Sequence, residues 1–149
     1  MSKIQKYFGS LVATFALLIT LVLGFANPAS AAPYCERSGP GSIPSCSSSV
    51  CFTNPDPGET LEIGETFWVT GFVTPSECPA DYPTPNYVEL CYPFAGSSNC
   101  DDNLKIVDGN GNWSSLQVLN QRGDREIVGT GFHGSNQVTR QTRLPISVE

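Results

Sequence analysis

Residues 103–119 read NLKIVDGNGNWSSLQVL, and this stretch carries the strongest local fold signal in the chain. Leu104 and Ile106 alternate with polar residues in the first arm, and the arm that begins at Trp113 repeats the alternation. A side-chain period of two is typical of a strand with one buried face. Between the arms, Asp-Gly and Asn-Gly favour the positive φ angles of tight hairpin turns. The stretch therefore predicts a β-hairpin that fixes a register for the other strands.

Residues 66–74, TFWVTGFVT, are the most strand-like run, because aromatic and β-branched residues dominate it. Its alternation places Val69 and Val73 on one face and Trp68 on the other. Gly71 predicts a bulge or the close approach of another backbone. About seven short strands separated by turns, with no amphipathic helical window after residue 31, predict an all-β sandwich. The remaining strand-like runs lie at residues 61–63, 87–92 and 126–133, and residues 137–143 and 145–148 form one strand or two short ones.

The first 31 residues have the pattern of a secretory signal peptide. Two lysines precede an apolar run at residues 11–25, and Ala29-Ser30-Ala31 supplies the small residues that signal peptidase reads. We expect cleavage after Ala31, no stable membrane span after cleavage, and a secreted, periplasmic or cell-surface protein. The alternative is a retained anchor, because the apolar run approaches the roughly 20 residues that a membrane span requires.

The cysteines predict an oxidising compartment. An even number of cysteines after a signal peptide implies disulfides, and six cysteines allow 15 pairings. Hairpin geometry favours the pair Cys91–Cys100, whereas the other pairings stay open. No Cys-x-x-Cys pair is present, so the usual cysteine spacings of zinc sites are absent. The six cysteines are Cys35, Cys46, Cys51, Cys78, Cys91 and Cys100.

Composition divides the exported part into two regions. Residues 32–57 are rich in Ser, Pro, Gly and Cys and show no sustained period, which predicts an irregular N-terminal segment tethered by disulfides. Residues 58–149 are predicted to form the β-sandwich. Within them, residues 75–85 contain four prolines and predict a loop, which Cys78 is placed to tether. Long loops in compact domains are often functional.

The acidic charge of the chain disfavours partners that are themselves negatively charged. The formal net charge is −6, and loss of Lys3 and Lys6 with the signal peptide would leave −8. An acidic surface repels phosphate backbones and anionic lipids. Nucleic acid is therefore not an expected partner.

Two stretches carry a family resemblance. Residues 64–71, GETFWVTG, resemble the early strand of bacterial immunoglobulin-like domains, and residues 107–114, VDGNGNWS, resemble their mid-domain hairpin. The resemblance covers about residues 58–149 and implies an immunoglobulin-like β-sandwich. It implies little about activity, because this architecture hosts many functions.

A narrower resemblance concerns the enediyne-chromophore apoproteins of the neocarzinostatin type. A strand that ends at Cys91, a loop to Cys100, and an Asp-x-x-Gly turn from Asp108 to Gly111 are similar to their layout. This likeness implies a small-molecule carrier as an alternative function, although the C-terminal half of this chain lacks the second disulfide of that family.

The motifs of catalysis and metal binding are incomplete. His133 is the single histidine, so a Ser-His-Asp triad or a His-containing metal cluster cannot be built by motif. Asp108-Gly-Asn-Gly-Asn112 imitates a calcium loop, but Trp113 and Leu119 stand where that loop needs Gly and Glu. We therefore predict no enzymatic activity, no cofactor and no metal site, with a weak surface calcium site near Asp101 and Asp102 as the alternative.

Aromatic residues are the better functional lead. Trp68 and Trp113 lie within strands, which favours a place in the core for both. Tyr and Trp side chains on loops stack on sugars or anchor protein partners. The predicted contact residues are Tyr82, Tyr87, Tyr92 and Phe94. The sequence thus predicts an exported, non-enzymatic binding or adhesion module with a protein or glycan ligand. The alternatives are a structural envelope protein that self-associates through edge strands, or the small-molecule carrier.

Overall fold

The regular structure consists of β-strands alone in the part of the chain that the computed structural model describes, which is residues 31–38, 42–95 and 103–149. Ten strands are present there, and seven of them have four or more residues. The all-β prediction is thereby confirmed. In chain order the strands are β1 Arg37–Ser38, β2 Val50–Asn54, β3 Thr60–Leu61, β4 Thr66–Val73, β5 Tyr87–Cys91, β6 Asn103–Ile106, β7 Asn112–Val118, β8 Gly123–His133, β9 Asn136–Gln137 and β10 Gln141–Val148.

The strands form two sheets. The larger sheet has the order β1-β10-β8-β5-β6, with β3 paired to β10 and β9 paired to β8. The smaller sheet has the order β2-β4-β7. Neighbours are antiparallel throughout except for β3, which runs parallel to β10. The smaller sheet therefore takes its strands from three separate parts of the chain.

One hydrophobic core joins the two sheets. Val69 and Val73 of β4 point into it, as the alternation of that strand predicts, and Val88 and Leu90 of β5 meet them from the larger sheet. The Thr142 hydroxyl of the larger sheet donates a hydrogen bond of 2.7 Å to the main-chain oxygen of Val50 in the smaller one. Fully buried side chains from both sheets include Phe52, Leu90, Ile127, Leu144, Val50, Val69, Val88 and Val148.

Gly71 is the point of closest approach in the smaller sheet. It pairs with Phe52 on one side and Trp113 on the other, and these two rings meet edge to face with centroids 5.4 Å apart. A Cβ atom at Gly71 would overlap the Cys51 carbonyl oxygen and the Trp113 indole. The predicted close approach of another backbone is confirmed, because the Cys51 main-chain oxygen occupies space that a Cβ atom at Gly71 would take, beside the Trp113 indole.

The turn at residues 107–112 links the two sheets and does not close a hairpin. β6 pairs with β5 in the larger sheet, whereas β7 pairs with β4 in the smaller sheet. The tight turn is present, since Gly111 has φ +85° and donates its N–H to the Asp108 carbonyl oxygen at 3.0 Å. The predicted hairpin is wrong, because turn residues specify a reversal but do not specify which sheet each arm joins.

The first arm also presents the opposite face to the one expected, and so does the second arm beyond Trp113. Leu104 and Ile106 are 59% and 77% exposed, and Leu116 and Val118 of β7 point outward as well. Trp113 is buried as predicted, and Ser115, on the same face of β7, is buried as well. The period of two was sufficient to identify the strands, but a one-residue shift of register exchanges the two faces, so the pattern did not decide which face is buried.

Asp108 holds the turn together. Its Oδ1 atom accepts the backbone N–H groups of Asn110 and Asn112, each at 2.8 Å. Both hydrogen bonds hold the pKa of the Asp108 carboxyl below its ordinary value, and the bond from Asn112 has the larger effect. The ionised form is therefore favoured in the folded protein, and the link between the sheets is stabilised by it.

We expect Asp108→Ala to lower stability at neutral pH and to flatten its decline in acid. Because the folded-state pKa is depressed, the stabilisation is complete above the unfolded value of about 3.9 and is lost as the pH falls through the folded value. The measurement is the urea midpoint at pH 7 and at pH 3. The difference between the two proteins should shrink at pH 3, and an equal change in Glu65→Ala, an exposed carboxylate outside the turn, would contradict the assignment.

Two disulfides hold the N-terminal segment: Cys35–Cys51 ties its start to β2, and Cys46–Cys78 ties it to the proline-rich loop. The second tethers the proline-rich loop, as predicted. The segment 32–57, which the sequence predicts as irregular, also supplies β1 and β2, and Val50 and Phe52 of β2 lie in the core. Cys91 is disulfide-bonded too, and its predicted partner Cys100 lies outside the described residues.

The predicted signal peptide also lies outside the described residues, apart from Ala31 at its end. Its cleavage and the alternative of a retained anchor both stay predictions. In the part of the chain that the structure describes, there is no helix with the length and apolar character that crossing a bilayer requires.

Candidate functional site

The proline-rich loop and the β8–β9 turn meet at one end of the larger sheet. The side-chain oxygen of Asn86 accepts the backbone N–H of Gly134 at 3.1 Å. The His133 ring donates from Nδ1 to the Thr84 carbonyl oxygen at 3.0 Å. Residues some 50 positions apart in sequence are thereby fastened together at this end.

An open cleft of about 540 Å³ lies between the loop and the turn, and we call it the Tyr82 cleft. Ligand clefts in proteins have volumes of roughly 300–1,000 Å³, so this one has room for a small ligand or for one part of a larger ligand. The residues that line it are Asp81, Tyr82, Pro83, His133, Asn136, Gln137 and Val138.

The loop wall of the cleft is braced from several sides. The Cys46–Cys78 disulfide holds its first half, and the Glu77 N–H donates to the Cys46 carbonyl oxygen at 2.8 Å. The Tyr82 N–H donates to the Cys78 carbonyl oxygen at 3.0 Å. At the other end Pro85 is buried against Gly131, where an added Cβ would come within 2.7 Å of the proline ring. A braced loop loses little conformational freedom when a ligand binds.

The other wall presents planar polar groups from β8 and β9. His133 and Asn136 are directly opposite each other in the antiparallel pair, and Gln137 follows. The Gln137 side chain is oriented by a 2.9 Å hydrogen bond from its Nε2 to the Thr139 carbonyl oxygen. Carboxamides offer both donors and acceptors, and the carboxylate of Asp81 adds acceptors. With the Tyr82 ring, these groups match a ligand that has both hydroxyl groups and an apolar face.

The four predicted contact residues are not brought together on one surface. Tyr82 lines the cleft, and Tyr87 begins β5 close to the end of the loop, half-buried opposite Phe132. Tyr92 and Phe94 follow the other end of β5, about 17 Å away at the usual strand rise of roughly 3.3 Å per residue. Sequence order places the four residues near one another, but the extended strand between them separates them into two pairs.

Tyr92 and Phe94 surround Arg125. The guanidinium carbon of Arg125 lies 3.9 Å from the centroid of the Phe94 ring, and its Nη1 donates to the Tyr92 carbonyl oxygen at 2.8 Å. Burial raises the pKa of the Tyr92 phenol, against a smaller opposite effect of Ser115. Both aromatic residues therefore have packing partners in the domain, and their predicted role in binding stays a prediction.

Some residues of interest were missed or misplaced by sequence reasoning. Trp68 was expected in the core, but it is 54% exposed on the outer face of β4, opposite Leu116. The alternation of β4 already assigned it to the face away from Val69, and that signal was correct. No sequence pattern indicates Asn136 and Gln137, because only the packing of the β8–β9 turn on the loop brings them to a cleft.

Metal ligands are not clustered in the ranges that the structure describes: they contain no group of three or more His, Cys, Asp or Glu residues placed to hold an ion. Asp101 and Asp102, which the alternative calcium site involves, lie outside these ranges. That alternative stays a prediction.

Comparison of the chain with protein-family models, with curated proteins and with solved structures finds no match. The resemblances to immunoglobulin-like domains and to neocarzinostatin-type apoproteins therefore stay expectations drawn from sequence.

Proposed function

We propose that this protein is an exported, non-enzymatic binding module with an immunoglobulin-like β-sandwich, and that its ligand occupies the Tyr82 cleft. The observation that carries the proposal is the bracing of the loop by a disulfide, prolines and main-chain hydrogen bonds. Binding loops on a rigid scaffold gain affinity from such bracing, because less conformational freedom is lost when the ligand binds.

Export is supported by the disulfides and by the pattern of the first 31 residues. Structural disulfides persist in oxidising compartments and are rare in the cytosol. An immunoglobulin-like sandwich agrees with two sheets that share one core and with seven strands of four or more residues. In such architectures the loops at one end of the sheets are the usual place for recognition.

The ligand class that suits the cleft best is a neutral glycan. The Tyr82 ring would stack on the apolar face of a sugar, and Asn136, Gln137 and Asp81 would bond its hydroxyl groups. An acidic carboxylate at the rim and the negative charge of the exported chain disfavour phosphorylated or sulfated ligands. The open shape of the cleft fits the end or edge of an oligosaccharide better than an enclosed small molecule.

The test is binding of the secreted protein to a panel of immobilised neutral oligosaccharides. An aromatic contact contributes about 0.5–1.5 kcal/mol beyond area burial, so Tyr82→Ala should weaken binding about tenfold. Asn136→Ala should weaken it as well, without a change in thermal stability, because its side chain is exposed. Trp68→Ala is the matched control, since it removes an exposed aromatic residue on another face.

Two results would overturn the proposal. One is binding by Tyr82→Ala that equals the wild type, and the other is loss of binding in Trp68→Ala alone. If no glycan binds, but Tyr82→Ala fails to pull down a protein that the wild type does pull down, the cleft is still the binding site and its ligand is a protein.

A further inference from the structure

β7 forms an open edge of the smaller sheet. It pairs with β4 on one side only, and the described residues place no strand on its other side. The opposite edge, β2, is covered, because Tyr34 and Phe52 exchange two backbone hydrogen bonds of 2.8 and 2.9 Å. One edge of this sheet is therefore covered by the N-terminal segment, whereas the other edge is open among the described residues.

The backbone groups that point outward from β7 can be identified from the ladder. The Val73 N–H donates to the Gly111 carbonyl oxygen, and antiparallel pairs alternate between bonded and non-bonded positions. Trp113, Ser115 and Gln117 consequently direct their N–H and C=O groups to β4. Ser114, Leu116 and Val118 direct theirs to the open edge, where no described backbone group pairs with them.

This edge lacks the features that protect edge strands. Natural edges are blunted by charges, prolines, bulges or short length. β7 has seven residues, contains no proline or charge, and pairs with β4 in an unbroken register from Thr66–Val118 to Phe72–Asn112. Exposed apolar side chains lie on the outer face beside this edge, since Leu116 and Val118 of β7 and Trp68 of β4 are 52%, 41% and 54% exposed.

The distribution of charge favours a second copy of this chain as the partner of β7. The chain carries no charged residue from 109 to 121, whereas the exported part as a whole is strongly acidic. Two copies repel each other over most orientations, but an approach along β7 brings no like charges together. The pairing is also self-complementary: about a two-fold axis at Leu116, Ser114 of one copy lies opposite Val118 of the other. All of the outward backbone groups then meet as bonded pairs.

We propose that the occupant is a second copy of this chain, paired antiparallel through β7. The two smaller sheets become one six-stranded sheet, and Leu116, Val118 and Trp68 of both copies form a continuous apolar face on it. The pair is closed by its two-fold symmetry, so it stops at a dimer. The Tyr82 cleft is built by other elements, and this proposal does not depend on it.

Sedimentation equilibrium of the secreted protein tests the proposal. The wild type should show a concentration-dependent dimer. Leu116→Lys places two like charges at the axis and should raise the dimer dissociation constant at least about 100-fold. Leu104→Lys is the matched control, because Leu104 is equally exposed on β6, the edge of the larger sheet, and this variant should dimerise like the wild type. Thermal stability of both monomers should be unchanged, because neither side chain is buried.

Cross-linking provides the second measurement. In a bonded antiparallel pair the Cα atoms are about 5.5 Å apart, within the roughly 4.4–6.8 Å that a disulfide spans. Leu116→Cys should therefore give a covalent dimer on oxidation, whereas Leu104→Cys should not. A wild type that is monomeric at about 1 mM, dimerisation that survives Leu116→Lys, or equal cross-linking of the two cysteine variants would overturn the proposal.

Discussion

Gly71→Ala is expected to lower the free energy of unfolding by about 3 kcal/mol or more, at the upper end of the cost of overpacking a core. The new methyl group would overlap the Cys51 carbonyl oxygen and the Trp113 ring. The carbonyl belongs to the paired strand β2 and cannot yield without breaking the ladder, and the indole is held edge to face by Phe52. Relief therefore requires that β2, β4 and β7 separate, which removes the smaller sheet from the core.

Urea denaturation followed by tryptophan fluorescence measures this loss, because Trp113 is buried, whereas Trp68, the other tryptophan, is exposed. The control is Gly109→Ala, since nothing lies within 4 Å of a Cβ at Gly109 and its φ is not positive. It should change stability by no more than about 0.5 kcal/mol, as surface substitutions usually do. Equal midpoints for the two variants would show that the sheet tolerates a side chain at Gly71.

Removal of the Cys46–Cys78 disulfide should cost about 3–4 kcal/mol, the value that loop-closure entropy gives for a cross-link across 32 residues. For a domain of this size that loss lowers Tm by about 10–20 °C. The double variant Cys46→Ser/Cys78→Ser should also weaken ligand binding at the Tyr82 cleft at temperatures where it is still folded. The reason is that the loop wall then has to be ordered when the ligand binds.

The matched comparison is Cys35→Ser/Cys51→Ser, which opens a bridge of sequence separation 16. It should lower Tm to a similar extent, because closure entropy grows slowly with loop length. It should leave cleft binding unchanged, since no described hydrogen bond or disulfide joins either cysteine to the loop. Calorimetry and binding measured on both variants separate the two effects. Equal losses of binding in both would argue that the disulfide stabilises the domain without shaping the cleft.

The sequence predicted the strands better than their arrangement. β4 was identified as a strand, with Val69 and Trp68 on opposite faces, because aromatic and β-branched residues alternate there over eight positions. β2 was missed, because its apolar run, Val50 to Phe52, is too short to show a period. The turn at residues 108–111 was predicted and is present, but the partners of β6 and β7 are determined by the core that both sheets share. Local patterns contain no information about that choice.

Of the two walls of the Tyr82 cleft, the sequence indicated one. Its loop wall was visible in the sequence, because four prolines and a cysteine within eleven residues indicate a constrained segment. The other wall was not visible, because Asn136 and Gln137 lie about 50 residues from Tyr82 and reach it only through the contacts of His133 and Gly134 with the loop. Tyr92 and Phe94 are predicted as contact residues because they are aromatic, and the length of β5 places them away from the cleft.

The alternation of the chain between the two sheets has a consequence for the order of folding. β5–β6 and β8–β9 join neighbours in sequence, whereas β2–β4 and β4–β7 each enclose strands of the other sheet. Loop-closure entropy delays such distant pairings, and domains rich in them fold in milliseconds to seconds. The most distant pairings lie in the larger sheet, where β1 and β3 both pair with β10, so that sheet is the last part to be completed. Until β10 is in place, the edge of β8 that it later covers is open to pairing with other molecules.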